Sequence, residues 1–247
     1  MNSVYVNEMV AHRRHLHKRP EEGWTEFETT YYIVDQLRKM GIPVTVGKAN
    51  INEKEVLGRD PQLVEDAITR AVNHGVPQAF IDECAGYTGA VAVIDTGRPG
   101  PTTAFRSDID CVLVRESKDP DHLPNKLGFA SERPGFMHAC GHDGHSAVGL
   151  ALAHWIWDNK DNLSGKFKLI FQPAEEGVRG ARAMVEAGIV DDVDYFVGGH
   201  VGGVIGLGEV AVMDGGFLAS SKFDVTIEGK AAHAGNCPQL GNNALMA

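Results

Sequence analysis

The sequence predicts an α/β fold, a mixed sheet packed by helices on both faces. Three observations predict it. Short apolar runs with strand character alternate with capped amphipathic stretches. Hydrophobic residues make up 43% of the 247-residue chain, enough for a sizeable core. Only 23% of residues are charged, a balance that excludes intrinsic disorder.

A first helical signal runs to about Lys18 and stops before Pro20. In the second, Thr25 can cap and Glu28 follows at capping-box spacing, with Phe27, Tyr31, Val34 and Leu37 on one face and Gly41 as the stop. A third has Asp60 as cap and Pro61 at the first helical position, with Leu63, Ala67, Ala71 and Val72 as its stripe. Gly89–Asp95 and Thr102–Arg106 then read as strands. Val148, Ala151, Leu152, Trp155 and Ile156 recur at helical spacing. Lys166–Phe171 reads as a strand, Ala181, Met184 and Val185 mark a short helix ended by Gly188, and Tyr195–Gly198 is a further strand candidate.

Glu209–Met213 and Lys222–Glu228 also read as strands, the second with one exposed face and an antiparallel setting. A second domain is expected to begin near Leu218, giving domains of 1–217 and 218–247. Residues 242–247 resemble the first turn of a helix, so the terminus is expected to cut through an element.

The net charge of −10 argues against a nucleic-acid or anionic-membrane partner. It leaves room for an anionic small substrate held by local Arg or Lys. The four cysteines form no Cys-x-x-Cys pair, the first residues lack a signal-peptide stretch, and no run approaches the ~18 apolar residues of a membrane span. A reduced cytoplasmic chain is the expectation.

Four polar clusters stand where a sheet could gather them. Arg106-Ser-Asp-Ile-Asp110, Gln172-Pro-Ala-Glu-Glu-Gly177 and His200 follow strand runs, and His138-Ala-Cys-Gly-His-Asp-Gly-His145 precedes a helix. Ligands of open α/β sheets bind at the carboxyl ends of strands. Cys140, His142, His200 and the Glu175-Glu176 pair offer a mixed sulfur, nitrogen and oxygen donor set suited to zinc or manganese. Neighbouring side chains diverge, so one carboxylate of the pair can bind metal while the other activates water. Taken singly each has an ordinary reading: a core Cys with capping His residues, a solvated Glu pair, a core His, and turn-forming Asp108 and Asp110. Only the conjunction favours a site. No Gly-x-Ser-x-Gly elbow is present, so a serine hydrolase is unsupported.

Met137-His-Ala-Cys-Gly-His-Asp-Gly-His145 and Phe171-Gln-Pro-Ala-Glu-Glu-Gly177 closely resemble the signatures of the M20 metallopeptidases, in the branch of N-acyl amino-acid hydrolases. Arg14-His-Leu-His-Lys-Arg-Pro-Glu-Glu-Gly-Trp24 resembles that branch's N-terminal motif. Asp95–Pro101, Gly180–Met184, Val190–Tyr195 and Ala231–Gly235 are similar to the subgroup that hydrolyses p-aminobenzoyl-glutamate.

The resemblance implies a catalytic domain followed by the start of a smaller α+β lid that also mediates dimerisation. It implies two divalent metal ions, manganese favoured and zinc the alternative, held by Cys140, His142, Glu176 and His200 with Cys140 bridging. Glu175 would be the general base, and Asp108 would orient the ligands from behind. His233 of the lid would steady the substrate from a neighbouring protomer, and Asn243 belongs to the same lid motif. Arg179 and Arg182 are candidates for pairing the glutamate carboxylates, with a structural role on a helix face equally open.

The implied partners are a small N-acyl amino acid and either a second copy, giving a homodimer, or a related subunit in a heteromer. The alternatives are a broader aminoacylase or dipeptidase and a non-catalytic chain that serves only as an interaction partner. Relatives supply a further His ligand from a later segment, so the 247-residue chain alone is expected to be poorly active, and aggregation or dependence on a partner chain is expected of it.

Overall fold

The computed structural model describes residues 3–202, 205–212, 215–216, 219–221, 223 and 225–246. Its sheet contains β1 (Val44–Val46), β2 (Ala90–Asp95), β3 (Thr102–Asp108), β4 (Lys166–Gln172) and β5 (Tyr195–Gly198), in the order β1-β2-β4-β3-β5. β2 runs antiparallel to both β1 and β4, while β3 lies parallel between β4 and β5. The sheet is therefore mixed, as expected. β1 has only three residues, too few for a period-2 signal to be read.

The helices are α1 (Ser3–Lys18), α2 (Phe27–Lys39), α3 (Pro61–Asn73), α4 (Gln78–Cys84), α5 (Leu123–Lys126), α6 (His142–Asn159) and α7 (Ala181–Val185). They cover both faces of the sheet. Gly149 of α6 lies so close to Ser107 and Phe171 that a Cβ there would fall 2.7 Å from the Ser107 hydroxyl and 2.9 Å from the Phe171 ring. The alternate strand residues Arg106, Ile170 and Gln172 instead face Met184 and Val185 of α7. Alternation of side chains across a strand makes these opposite faces. α1 packs along α6 in turn.

Three local expectations need correction. Thr25 and Glu28 form no capping box. The Thr25 hydroxyl donates to the Glu22 carbonyl, and Glu28 pairs with Arg70 and His74, at the end of α3. The carboxylate of the fully buried Glu21 accepts the Glu28 and Thr29 N–H groups instead. A longer-range partner thus satisfies the orphan donors of the first turn. In α3 the Asp60 cap holds, its Oδ1 accepting from Gln62 and Leu63, worth about 1 kcal/mol. The buried stripe is Val64, Ala67 and Ala71, and Leu63 and Val72 are exposed. In α6, Val148 and Trp155 are exposed, whereas His142, Asp143, His145 and Ser146 are buried. Hydropathy misplaces this face because its polar residues are partnered inside the fold.

Contacts divide the chain into Met1–Met213 and Asp214–Ala247. Leu218, where a boundary is expected, lies outside the described residues. So do Met213, Lys222 and Asp224 of the two late strand candidates. Positions 209–212 and 225–228 form no strand. Alternation needs a ladder partner, and the described residues give the second unit only a bridge between Lys230 and Asn242. Among the described residues, no helix is long and apolar enough to cross a membrane.

Candidate metal centre

Register brings the polar clusters level. Asp108 pairs with Gln172 of β4, and Arg106 pairs with Gly198 of β5. The carboxyl ends of three parallel strands therefore open on one side. From them emerge Asp108 and Asp110, the loop at 173–177 and His200. α6 begins at this edge with His142, two residues after Cys140.

His142 is 1% exposed. Its Nδ1 lies 2.9 Å from the Asp110 carbonyl oxygen, which can only accept, so Nδ1 carries a proton and the neutral ring has its lone pair on Nε2. Nε2 faces Asp108 at 3.7 Å, Glu175 at 3.8 Å and Glu176 at 3.9 Å, all beyond hydrogen-bond range. The Cys140 thiol also lies within 4.8 Å of the Glu176 carboxylate. His142 Nε2 and Glu176 Oε1 are buried without a hydrogen-bond partner among the described residues. Buried polar atoms are normally partnered, so such a pair points to something that completes them.

Three sets of donor atoms lie within 4.8 Å of one another: Cys140, His142 and Glu176; Asp108, His142 and Glu175; and His142, His145 and His200. His145 is committed elsewhere, since Nδ1 bonds Asp108 at 2.5 Å and Nε2 accepts the Val201 N–H at 2.9 Å. His200 places Nδ1 2.8 Å from the Val201 carbonyl, leaving Nε2 as its remaining donor.

The charge distribution is lopsided toward carboxylate. Burial pulls the His142 imidazole down, but the Asp110 carboxylate, 3.3 Å from Nδ1, and the charges of Asp108 and Glu175 outweigh it and push it up to about 8. Burial and then the neighbouring Glu176 carboxylate push the Cys140 thiol up to about 12. Burial, together with the neighbouring Asp108 and Glu176 charges, raises Glu175. Asp108 stays below the usual carboxylate range although burial opposes ionisation, because His145, His142 and Arg106 favour its charge. A bound cation would relieve this repulsion and favour the thiolate.

The structure thus gathers Asp108, Cys140, His142, Glu175, Glu176 and His200. His233 and Asn243 belong to the second unit. There His233 Nδ1 accepts the Gly235 and Asn236 N–H groups, and Asn243 accepts that of Leu245. Arg179 donates to the Glu176 and Gly58 carbonyls, and Arg182 pairs with Glu55 at 2.7 Å, so both are engaged in holding loops.

Sequence reasoning gave no site role to two residues that the structure places there. Asp110 fixes His142 through its carbonyl and accepts the Glu176 N–H at 2.9 Å through Oδ2. Its spacing of two from Asp108 at a strand end was the available signal. Glu26 is fully buried, accepts the Ala174 N–H, and is pushed up to about 8 by burial and by the Asp110 charge. No local pattern announced it.

Residues 104–243 match Peptidase family M20/M25/M40. The chain is 47% identical to a Haemophilus influenzae homolog of one of the subunits of p-aminobenzoyl-glutamate hydrolase, over 98% of this chain and 57% of that protein. It is 48% identical to an indole-3-acetyl-aspartic acid hydrolase of Enterobacter agglomerans, over 97% of this chain and 56% of that protein. The fold matches the crystal structure of a dinuclear metal-binding M20 peptidase of Bacillus subtilis with a TM-score of 0.63 and 31% identity, covering 87% of this chain and 48% of that one. The chain spans a little over half the length of the curated relatives it matches.

Proposed function

The chain belongs to peptidase family M20/M25/M40, and on that footing we propose that it carries the metal centre of an amidohydrolase that releases an acidic amino acid from an aromatic acyl group. The observation that carries this reading is the buried pair His142 Nε2 and Glu176 Oε1, 3.9 Å apart and unpartnered among the described residues, with the Cys140 thiol beside them.

These residues fit divalent cations. Cys140, His142, Glu176 and His200 would hold two of them. Two ions follow from the family and from the dinuclear neighbour. The donor set suits manganese or zinc, with manganese the subgroup's expectation. When bound, the ions would polarise the scissile carbonyl and favour ionisation of the attacking water.

The chain's own groups do the rest. Glu175 is half-exposed, and its raised pKa suits it to take the water's proton and return it to the leaving nitrogen. Asp110 keeps His142 in the tautomer that offers Nε2. Asp108 fixes His145, whose ring in turn holds the Val201 N–H next to His200.

Relatives named for p-aminobenzoyl-glutamate and for indole-3-acetyl-aspartate share an aromatic acyl group and an acidic amino acid. p-Aminobenzoyl-glutamate is the first substrate to test. Relatives whose names make them one component of a multi-chain hydrolase support assembly with a related chain. His233 and Asn243 are the residues offered to substrate in such an assembly.

Metal analysis after dialysis against Mn²⁺ or Zn²⁺ tests the reading. The 247-residue chain should retain divalent metal and lose it on His142→Ala. A folded chain that retains none overturns the proposal.

A further inference from the structure

We propose that Glu26, on the loop between α1 and α2, is a positioning residue that sets the Glu175-Glu176 pair through the backbone of their loop. The inference rests on the metal reading above and extends it to a residue 148 positions from the loop it holds.

The Glu26 carboxyl is fully buried and makes no cap bond to α2. Its two oxygens are divided instead. Oε1 accepts the Ala174 N–H at 2.8 Å, and Oε2 accepts the buried Thr88 hydroxyl at 2.6 Å. Ala174 has φ +49°, a left-handed conformation that residues with a Cβ avoid. Such a conformation persists only where the surroundings hold it. Here they do. The Ala174 carbonyl accepts from Arg179 and Gly180, closing the loop on itself. The loop is also tight, since a Cβ at Gly180 would fall 1.8 Å from the Pro173 oxygen.

On the other side of Glu175, Asp110 accepts the Glu176 N–H. Two buried acidic side chains thus pin the backbone at 174 and at 176, one on each side of Glu175. From this pinned backbone the two carboxylates reach His142 Nε2, Glu175 at 3.8 Å and Glu176 at 3.9 Å. Thr88 fixes the Glu26 rotamer, so the chain of support runs Thr88, Glu26, Ala174, then the Glu pair.

Cobalt(II) titration of the 247-residue chain tests this, read through the thiolate-to-cobalt charge-transfer band that Cys140 would give. Glu26→Ala should weaken cobalt binding about 10- to 100-fold, the range for groups that orient metal ligands. Glu26→Gln should recover most of that loss, because its amide oxygen can accept the Ala174 N–H and its amide nitrogen can donate to Thr88. A Glu26→Ala variant with a native circular dichroism spectrum and unchanged affinity overturns the inference while leaving the metal reading intact. So does a folded Glu26→Gln variant as weak as Glu26→Ala. Should Glu26→Ala fail to fold, Thr88→Val takes its place, with weakened binding expected and unchanged binding overturning the inference. If the parent chain binds no cobalt, the metal reading falls and this inference falls with it.

Discussion

His142 and Glu176 face each other across 3.9 Å, each offering one buried atom that no described group satisfies. The separation is too long for a hydrogen bond. It suits a shared ion, because metal–nitrogen and metal–oxygen bonds of about 2.0–2.2 Å allow two ligands to stand up to about 4.2 Å apart. An ion between them would complete both donors at once.

Removing one of them should therefore cost metal rather than fold. Glu176→Ala is expected to lower divalent-metal affinity more than about 100-fold, beyond the usual effect of groups behind the ligands. Isothermal titration with Zn²⁺ checks it. Affinity within a few-fold of the parent would remove Glu176 from the ligand set.

Glu175 should separate from its neighbour in the opposite sense. Glu175→Gln is expected to keep the metal and lose about 10²- to 10⁴-fold in turnover of p-aminobenzoyl-glutamate, the contribution of a positioned general base. The comparison is made in a form of the protein that shows turnover. Metal content and p-aminobenzoate release are measured on one preparation, and near-parental turnover would assign the base elsewhere.

His17 should make stability depend on pH. Its ring is 1% exposed, with Nδ1 2.7 Å from Asp143 and Nε2 3.0 Å from Glu116. Burial lowers its pKa, but the two carboxylate bonds prevail and raise it above the ordinary 6.5. A raised folded pKa means the folded state binds the proton more tightly. The stabilisation is therefore full below about pH 6.5 and is lost as pH rises through the folded value. His17→Gln should cost about 1.5–3 kcal/mol near pH 6, the range for charge-assisted bonds, and less at about pH 9, as the proton is lost with rising pH. Urea unfolding at both values checks it, and a pH-independent cost would contradict a protonated His17.

Gly149 should resist any side chain. A Cβ would fall 2.7 Å from the Ser107 hydroxyl and 2.9 Å from the Phe171 ring, both on the sheet beneath α6. Gly149→Ala is expected to destabilise by about 1–3 kcal/mol through overpacking, although Ala is the better helix former. An unchanged urea midpoint would mean that α6 lifts from the sheet without cost.

Much of the fold could be read along the chain because its causes are local. The Asp60-Pro61 start of α3 and the runs that became β2, β3, β4 and β5 declare themselves within a few residues, whereas the polar residues Cys140, His142, Glu175 and Glu176 point to a site only in conjunction. The stripes of α3 and α6 were misjudged where packing partners, and not hydropathy, chose the buried face. The Thr25 cap failed because Glu21 reached the N–H groups of that first turn from seven and eight residues away.

The sequence by itself determined which chemical groups this protein has and which short elements carry them, since propensity, capping and strand character act over a turn or two. Tertiary structure alone decided that Asp110 would select the His142 tautomer and that Glu26 would hold Ala174 from 148 residues away. Those roles follow from the parallel register of β3, β4 and β5 and from burial, which limits a polar group to the partners the fold brings within reach. Such a constraint exists only once distant segments have met.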